Sequence, residues 1–311
     1  MPPRAWVRPI MLSWQMNRTL EDLVDRIERT TALDPAADRL SELVSKRLNR
    51  STPLRNALSG TAAGHPLHPM LVVVPIGSWL GASYLDLTGG KAGRAAASKL
   101  VALGVASAIP AAMAGTNDWV DTRLAERRVG FVHAVGNELA LVLYTGSWFA
   151  RRRQRHALGV ALAASGALLL GVTGWLGGHL SYARGVGVDT TAFDRASEEW
   201  TDVLAEADLV DEQPTLVYDG KLPVLLVRTG GQLYAIADRC THRGGPLHEG
   251  EFSDGCIVCP WHYSKFRVSD GQVVDGPATR GQRAYEVRTL DGSIQLRHTG
   301  EQGSLRLDPI N

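Results

Sequence analysis

Cysteine is scarce in this chain, and its placement excludes a disulfide-stabilised fold. The 311 residues contain three cysteines, Cys240, Cys256 and Cys259, all within a stretch of twenty positions. This usage fits no disulfide framework. Clustered thiols in an otherwise cysteine-free chain point instead to metal or redox chemistry.

An excess of charge of one sign is also missing. The chain has 33 basic and 32 acidic residues, which gives a net charge of +1. We therefore expect no strongly charged face, and nucleic acid is a poor candidate partner. Residues 1–20 contain Arg4, Arg8 and Arg18 without an uninterrupted apolar core, so we expect no signal peptide there.

Long apolar runs are present, and they gather in the middle of the chain. Residues 66–183 are rich in Ala, Gly, Leu and Val, whereas most charged residues lie outside this region. Four runs each approach the ~20 residues that cross a bilayer as a helix. We predict a four-helix transmembrane bundle in contact with membrane lipid, and a soluble helical bundle is the alternative. The runs cover residues 68–87, 97–116, 129–150 and 157–182.

The remaining residues divide around this bundle, which makes the chain a multidomain membrane protein. Residues 1–64 form a polar N-terminal segment, with two amphipathic helices at 17–50 and a polar stretch at 51–64. The transmembrane domain covers 65–183, and a linker helix follows at 184–205. An all-β domain is predicted at 206–300 and a tail at 301–311. Its strands are predicted at 215–218, 223–228, 232–237, 256–259, 265–268, 272–275, 284–289 and 293–297.

Two short motifs in the all-β region each pair a cysteine with a histidine. The first is Cys240-Thr-His242, and Cys259-Pro-Trp-His262 follows after sixteen residues. In a Rieske [2Fe–2S] centre, two thiolates bind one iron and two imidazoles bind the other. Two cysteines and two histidines also satisfy a zinc ion, although the C-x-H spacing is tight for ordinary zinc modules.

The residues around these motifs resemble the Rieske ferredoxin-like family over about 206–300. The resemblance includes Gly245-Pro-Leu, the second Cys–His motif, Phe266 and the closing Gly276-Pro-Ala. It implies a small antiparallel β-sandwich with the cluster exposed at one tip, where the histidines form the edge through which electrons pass. It also implies that the [2Fe–2S] cluster is held by Cys240, His242, Cys259 and His262.

Several neighbouring positions refine this resemblance. The family usually has glycine after the second histidine, where this chain has Tyr263. High-potential members carry an additional cysteine pair, whereas this chain has Gly245 and Trp261 at those positions. The resemblance therefore indicates the ferredoxin subtype. Ser264 is retained, and its hydroxyl can hydrogen-bond a cluster sulfur and raise the potential. We interpret Cys256 as a buried free thiol.

Ionisable residues gather at one end of the predicted bundle. Because successive helices alternate in direction, five such residues fall on the membrane face from which the C-terminal domain emerges. Ionisable groups are costly at membrane depth, so we treat these residues as candidate functional residues. Two imidazoles that face each other could be the axial ligands of haem b. A cluster of histidines with Asp118 could bind iron or zinc. A third alternative is a quinone pocket, in which one histidine hydrogen-bonds the quinone oxygen. The alternative is that these residues face lipid headgroups. The five are His65, His68, Asp118, His133 and His179.

A second resemblance covers the bundle itself. The motif Gly64-His65-Pro-Leu-His68-Pro, followed by Pro75-Ile-Gly77, resembles an uncharacterised family of bacterial four-helix membrane domains over about 60–185. It supports the helix count and implies no function. Basic residues are balanced between the two membrane faces. We expect both termini and the cluster in the cytoplasm, although Arg151-Arg152-Arg153 before the last helix resembles an internal twin-arginine signal.

These features support two hypotheses. In the first, a membrane-bound redox protein passes electrons between the [2Fe–2S] cluster and a haem, metal or quinone in the bundle. In the second, the bundle only anchors a ferredoxin module near a separate oxidoreductase. A Rieske oxygenase is disfavoured because no catalytic domain with a two-histidine, one-carboxylate site follows the cluster motifs. The chain is thus an electron-transfer component, and whether it is itself an enzyme stays open.

Overall fold

The computed structural model describes residues 19–298. Residues 1–18 and 299–311, which include the predicted tail at 301–311, lie outside the described residues. The chain forms two compact units. The bundle unit contains residues up to 47 together with residues 68–186. The sandwich unit contains residues 48–67 together with the chain from residue 187 onward.

The helices differ in length and number from those predicted from the sequence. Four long helices follow the amphipathic N-terminal ones, and a π-helical turn at His179–Ala183 extends the last of them. The helices are α1 (19–29), α2 (Asp34–Leu48), α3 (Thr52–Ser59), α4 (Leu67–Leu71), α5 (Val73–Thr88), α6 (Gly90–Trp119), α7 (Leu124–Arg152) and α8 (His156–Gly178).

Three of the predicted membrane spans are confirmed as helices long and apolar enough to cross a bilayer. They cover Leu67–Thr88, Gly90–Trp119 and His156–Ala183. The fourth predicted span is helical too, as α7, but it is not among these three, so four transmembrane helices are not confirmed. Polar residues explain the difference, because His133, Asn137 and Glu138 lie in the central part of α7 and lower its hydropathy.

Close helix packing in the bundle depends on glycines opposite aromatic rings. Trp79 of α5 stacks on Tyr144 of α7, with ring centroids 4.0 Å apart. A Cβ at Gly104 of α6 would lie 2.2 Å from Trp79 Nε1, and one at Gly166 of α8 would lie 2.9 Å from the Tyr144 ring. Side chains at these two positions would therefore push the helices apart.

The N-terminal helices pack on the bundle through ion pairs and an apolar contact. Arg128 of α7 donates to both carboxylate oxygens of Asp34, at 2.6 and 2.7 Å. Val24 of α1 lies in an apolar cluster with Val129 and Leu176. The bidentate pair fixes the orientation of α2 as well as its position.

The sandwich unit consists of two antiparallel sheets. The six-stranded sheet has the order β1-β10-β9-β4-β3-β2, and the four-stranded sheet has the order β5-β6-β7-β8. All eight predicted strands are confirmed, and two further strands, β1 and β5, were missed. The strands are β1 (Thr201–Ala205), β2 (Thr215–Asp219), β3 (Leu222–Thr229), β4 (Gln232–Ala237), β5 (Glu251–Ser253), β6 (Cys256–Val258), β7 (Lys265–Arg267), β8 (Val273–Asp275), β9 (Ala284–Leu290) and β10 (Ser293–Arg297).

The predicted linker helix at 184–205 was wrong. Turns and extended backbone occupy residues 184–200, and the first strand takes the remainder. The Thr191 backbone N–H and hydroxyl both donate to Asp189 Oδ1, at 2.9 and 2.7 Å. Such local side-chain bonds compete with helical hydrogen bonding. Gly187 has a φ of +75°, which also interrupts a helix.

The polar stretch at 51–64 contains a helix that was not predicted. Ser51 caps α3 by accepting a hydrogen bond from the Leu54 N–H, and Gly60 ends the helix with a φ of +81°. Residues 48–67 belong to the sandwich unit. The predicted N-terminal domain at 1–64 is therefore divided between the two units.

Candidate metal centre

The first predicted cluster loop connects β4 to β5 and closes on Cys240. The Cys240 N–H donates to the Gly245 carbonyl at 2.9 Å, and the Gly244 N–H donates to the Cys240 carbonyl at 2.7 Å. Gly244 has a φ of +73°, which glycine adopts without steric cost. The result is a tight turn with the buried Cys240 side chain at its start.

The second predicted loop connects β6 to β7 and repeats this pattern. The Cys259 N–H donates to the Ser264 carbonyl at 2.8 Å, and the Tyr263 N–H donates to the Cys259 carbonyl at 3.1 Å. Tyr263 has a φ of +66°, so it occupies the position equivalent to Gly244. This conformation explains why the family usually has glycine here, since a side chain in the left-handed region is strained.

The two cysteine sulfurs lie together, and backbone amides point at each of them. The N–H groups of residues 242 and 243 donate to the Cys240 sulfur, and those of 261 and 262 donate to the Cys259 sulfur. A hydrogen bond from the Cys240 thiol lowers the pKa of Cys259 to about 7. The same contact, together with burial, raises the pKa of the Cys240 thiol well above its usual value. A bound metal would displace the thiol protons of Cys240 and Cys259, because cysteine binds metals as the thiolate.

The two histidines meet beside the cysteines. The rings of His242 and His262 have centroids 5.1 Å apart and lie nearly perpendicular to each other. Burial, followed by the charges of His262, Arg243 and Arg55, lowers the pKa of His242 well below its usual value. His242 is therefore neutral, which is the state in which imidazole binds a metal.

Gly245 makes room for the two loops to approach each other. A Cβ at this position would lie 2.8 Å from the Cys259 sulfur. No described residues place three or more His, Cys, Asp or Glu side chains where they could hold one metal ion. A tetrahedral zinc site would need such a group, whereas a Rieske centre shares two cysteines and two histidines between two irons. The residues therefore fit a [2Fe–2S] cluster better than zinc.

The exposed histidine edge implied by the family resemblance is not found. His262 is only 8% exposed, and His242 is partly buried. The neighbouring aromatic side chains are exposed instead, Trp261 at 41% and Tyr263 at 62%.

Two further predictions in the sandwich unit concern Ser264 and Cys256. Ser264 is fully buried, and its Oγ accepts a hydrogen bond from the Ala278 N–H at 2.9 Å. This contact fixes the oxygen and leaves the hydroxyl hydrogen to donate elsewhere. Cys256 is a buried free thiol on β6, as predicted.

The five candidate membrane residues are divided between the units. His65 belongs to the sandwich unit, and the other four belong to the bundle unit. In the bundle, His68 Nδ1 lies 2.8 Å from the Ala111 carbonyl oxygen, and His179 Nε2 lies 3.2 Å from Glu28 Oε1. Asp118 accepts from the neighbouring Asn117 side chain at 3.3 Å. No three of these residues gather around one point in the part of the chain described here. The predicted membrane site therefore stays a prediction.

His133 is engaged in a polar network that joins α7 to α8. Its Nδ1 lies 2.7 Å from the Thr173 carbonyl oxygen, and its Nε2 lies 3.0 Å from the Asn137 side-chain nitrogen. The Thr173 hydroxyl donates to the Asn137 oxygen at 2.8 Å. A neutral imidazole that donates from Nδ1 and accepts at Nε2 satisfies every group in this network. The contacts of His133 therefore join α7 to α8, and its place in a haem site stays a prediction.

Sequence analysis singled out Gly245 as the position of an additional cysteine in high-potential members, and this glycine lies against the Cys259 sulfur and Trp261. Arg55, whose charge acts on His242, was missed by sequence reasoning. Arg55 lies on α3, and a signal for that helix was available. Ser51 and Pro53 mark its start and Gly60 marks its end, which is a capping pattern typical of a short helix.

Comparison with protein families accounts for both parts of the chain. The family described as the Rieske [2Fe-2S] domain matches residues 199–288. The family described as "Predicted membrane protein (DUF2231)" matches residues 64–190.

Individual relatives match the sandwich unit. The anthranilate 1,2-dioxygenase ferredoxin subunit of Burkholderia cepacia is 31% identical over 98 residues, which are 32% of this chain and 91% of that protein. Ferredoxin CarAc of Metapseudomonas resinovorans is 32% identical over 101 residues, 31% of this chain and 92% of that protein. The cytochrome b6-f complex iron-sulfur subunit of Chlorobaculum tepidum is 38% identical over 71 residues, 23% of this chain and 38% of that protein. The chain therefore belongs to the Rieske [2Fe–2S] family, and it carries this domain behind a predicted membrane domain of the DUF2231 type.

Proposed function

We propose that this chain is a membrane-anchored electron-transfer protein. In this proposal, its [2Fe–2S] cluster is held by Cys240, His242, Cys259 and His262. The observation that carries the proposal is the meeting of two matched loops, which place two buried sulfurs beside two adjacent imidazoles. When bound, the cluster supplies one-electron transfer.

The surrounding residues prepare the site for this role. Four backbone N–H groups point at the two cysteine sulfurs, and hydrogen bonds of this kind favour thiolate and raise the reduction potential. The Ser264 oxygen is fixed by Ala278, so its hydroxyl hydrogen is free to act in the same direction. The apolar cluster beneath the loops contains Ile236, Leu247 and Phe266, which exclude water from the cysteine side.

We further propose that α7 spans the membrane together with the three more apolar helices. Its contacts support this, because Gly136 lies against Thr173 and Ser147 donates to the Gly159 carbonyl at 2.6 Å. These two contacts, at opposite ends of the pair, make α7 antiparallel to α8 along its length. His133 and Asn137 of α7 have partners inside the bundle, and internally satisfied groups are tolerated in lipid.

The electron partner in this proposal is a separate oxidoreductase. Two of the relatives are named as ferredoxins, and one of these is named as a dioxygenase subunit, which supports transfer between proteins. The bundle histidines described above are each engaged with a backbone carbonyl or a carboxylate, which favours an anchoring role for the bundle.

A quinone is the second candidate partner, at His68. If Nδ1 of His68 donates to the Ala111 carbonyl, its Nε2 keeps a lone pair for a quinol hydroxyl. This free ring nitrogen is the observation that supports a quinone as the second candidate.

One set of measurements on the full chain in detergent tests these alternatives. We expect an electron paramagnetic resonance spectrum of a reduced Rieske centre, about two irons per chain and no zinc. A pyridine haemochrome assay should find no haem. Zinc without iron would overturn the proposed site, and stoichiometric haem would overturn the anchoring role. Oxidation of the reduced protein by a soluble quinone analogue, lost in His68→Leu, would establish the second candidate.

A further inference from the structure

Residues 48–67 are distant from the cysteine–histidine motifs in sequence, yet they fold into the sandwich unit. Asn56 of α3 makes two polar contacts with the end of β8. Its side-chain nitrogen donates to Asp275 Oδ1 at 3.1 Å, and its Oδ1 accepts from the Gly276 N–H at 2.8 Å. One amide group therefore restrains a side chain and a backbone group on consecutive residues.

The close approach of α3 at this point depends on glycine. A Cβ at Gly276 would lie 2.3 Å from Thr61 Oγ1 and 3.0 Å from Asn56 Oδ1. The first distance is far shorter than a van der Waals contact, so a side chain here would push residues 56–61 away. A substitution at Gly276 would thus break the contact with Asn56 from the opposite side.

The segment that Asn56 restrains holds Ser264 in two ways. Asp275 pairs with Lys265 of β7, which directly follows Ser264. The Ala278 N–H donates to Ser264 Oγ at 2.9 Å, and both of these residues are fully buried. A proline ring fixes φ at the residue before Ala278, so little of a displacement at Asp275 can be absorbed between them.

The position of the Ser264 oxygen decides what its hydroxyl hydrogen can do. The oxygen accepts the bond from Ala278, and the hydrogen remains to donate to a cluster sulfur. Such a bond stabilises the more negative, reduced cluster and raises the reduction potential. A hydrogen bond weakens steeply when donor and acceptor are misaligned, so the potential depends on where Ala278 holds this oxygen.

We propose that Asn56 is a positioning residue for the [2Fe–2S] cluster, which holds residues 275–278 so that the Ser264 hydroxyl is aligned with a cluster sulfur and raises its potential. The inference rests on the proposed function and extends the redox module beyond residues 199–288, which match the Rieske family. Residues 48–67 are thus part of this module and not only a connection to the membrane helices.

The test is a redox titration of the full chain in detergent, monitored by paramagnetic resonance. Asn56→Ala removes both contacts without changing any charge. Leu54→Ala is the matched control, because Leu54 lies on the same helix and is 43% exposed. We expect Asn56→Ala to lower the ratio of reduced to oxidised protein at a fixed potential by about threefold, or about 28 mV at about 59 mV for a tenfold change. Leu54→Ala should leave this ratio unchanged.

A double-mutant cycle decides whether the effect of Asn56 passes through Ser264. Ser264→Ala should lower the potential by itself. Asn56→Ala should lower it no further in that background, because the hydroxyl that Asn56 positions is absent. Equal shifts from Asn56→Ala with and without Ser264 would overturn the inference, as would a wild-type potential in Asn56→Ala with an intact spectrum.

Gly276→Ala guards against loss of the cluster in Asn56→Ala. It breaks the same contact from the other side, so it should give the same shift and the same dependence on Ser264. If Asn56→Ala loses its cluster, a wild-type potential in Gly276→Ala overturns the inference alone. Loss of the cluster in both variants would assign Asn56 to cluster assembly and also overturn it. Absence of a Rieske spectrum from the wild-type protein would instead reject the proposed function.

Discussion

Histidines are used in different ways in the two units of this molecule. In the sandwich unit, the rings of His242 and His262 meet at 5.1 Å beside two cysteine sulfurs. In the bundle unit, His68 and His133 each lie within hydrogen-bonding distance of a backbone carbonyl of another helix. The first arrangement gathers two imidazoles beside two sulfurs, whereas the second joins neighbouring helices through one ring nitrogen of each histidine. A histidine-rich pattern is therefore informative only when its neighbours are known.

Cysteine substitutions should give the sharpest contrast within the sandwich unit. We expect Cys259→Ser to abolish the Rieske spectrum, because one thiolate of the proposed pair is lost. Cys256→Ser is the matched control, since this buried thiol lies only three residues away on β6. Iron content and paramagnetic resonance of the purified chain measure both. If Cys256→Ser lost the cluster and Cys259→Ser kept it, the ligand would be Cys256 and the proposed assignment would be wrong.

The bundle should respond to the loss of a buried charge through its stability alone. Arg151 donates to both oxygens of Asp86, at 2.8 and 2.5 Å, and both side chains are almost fully buried. Removing one partner of a buried ion pair costs about 3–5 kcal/mol, because the other charge is left uncompensated. We expect Arg151→Met to lower the free energy of unfolding in detergent by this amount and to leave the cluster spectrum unchanged.

A double variant separates the ion pair from a redox role. Asp86→Leu combined with Arg151→Met removes both charges, so it should destabilise the bundle less than Arg151→Met alone. A shifted cluster potential in either variant would contradict the structural interpretation of this pair. In the sequence, Arg151 stood out only as part of the arginine run before the last helix, and its partner could not be predicted, because Asp86 is distant in sequence.

The fold was largely predictable where local pattern decides it. Alternating apolar and polar residues, bounded by glycine-containing turns, predicted eight strands, and the structure contains all eight. Both signals depend only on residues that are close in sequence. The short strand β5 and the helix α3 were missed because few residues carry their signal. The contact of Asn56 with Asp275 joins segments that no local pattern connects. The two Cys–His motifs are local patterns, so they predicted the four proposed ligands. The burial of His262 depends on contacts distant in sequence, so the motifs did not predict it.

Disrupting the His133 network should affect stability by a smaller amount than loss of the ion pair. His133→Leu would leave the Asn137 side chain and the Thr173 carbonyl without their present partner. An unsatisfied buried polar group costs about 1–3 kcal/mol. We expect a lower unfolding free energy in detergent with unchanged iron content and potential. A change in optical spectrum or metal content would contradict a structural role and revive a cofactor in the bundle.

The smallest predicted effect on stability concerns the backbone conformation at equivalent positions of the two cysteine loops. Gly244 and Tyr263 occupy equivalent positions with φ values of +73° and +66°, and the left-handed conformation costs a side-chain residue about 1–2 kcal/mol. Tyr263→Gly should therefore raise the unfolding free energy of the holoprotein by about 1 kcal/mol or less, because glycine also loses more backbone entropy on folding. Gly244→Ala should lower it. Denaturant titration followed by cluster absorbance measures both. Destabilisation by Tyr263→Gly would mean that this exposed ring makes a stabilising contact, and the two loops would then be equivalent in backbone only.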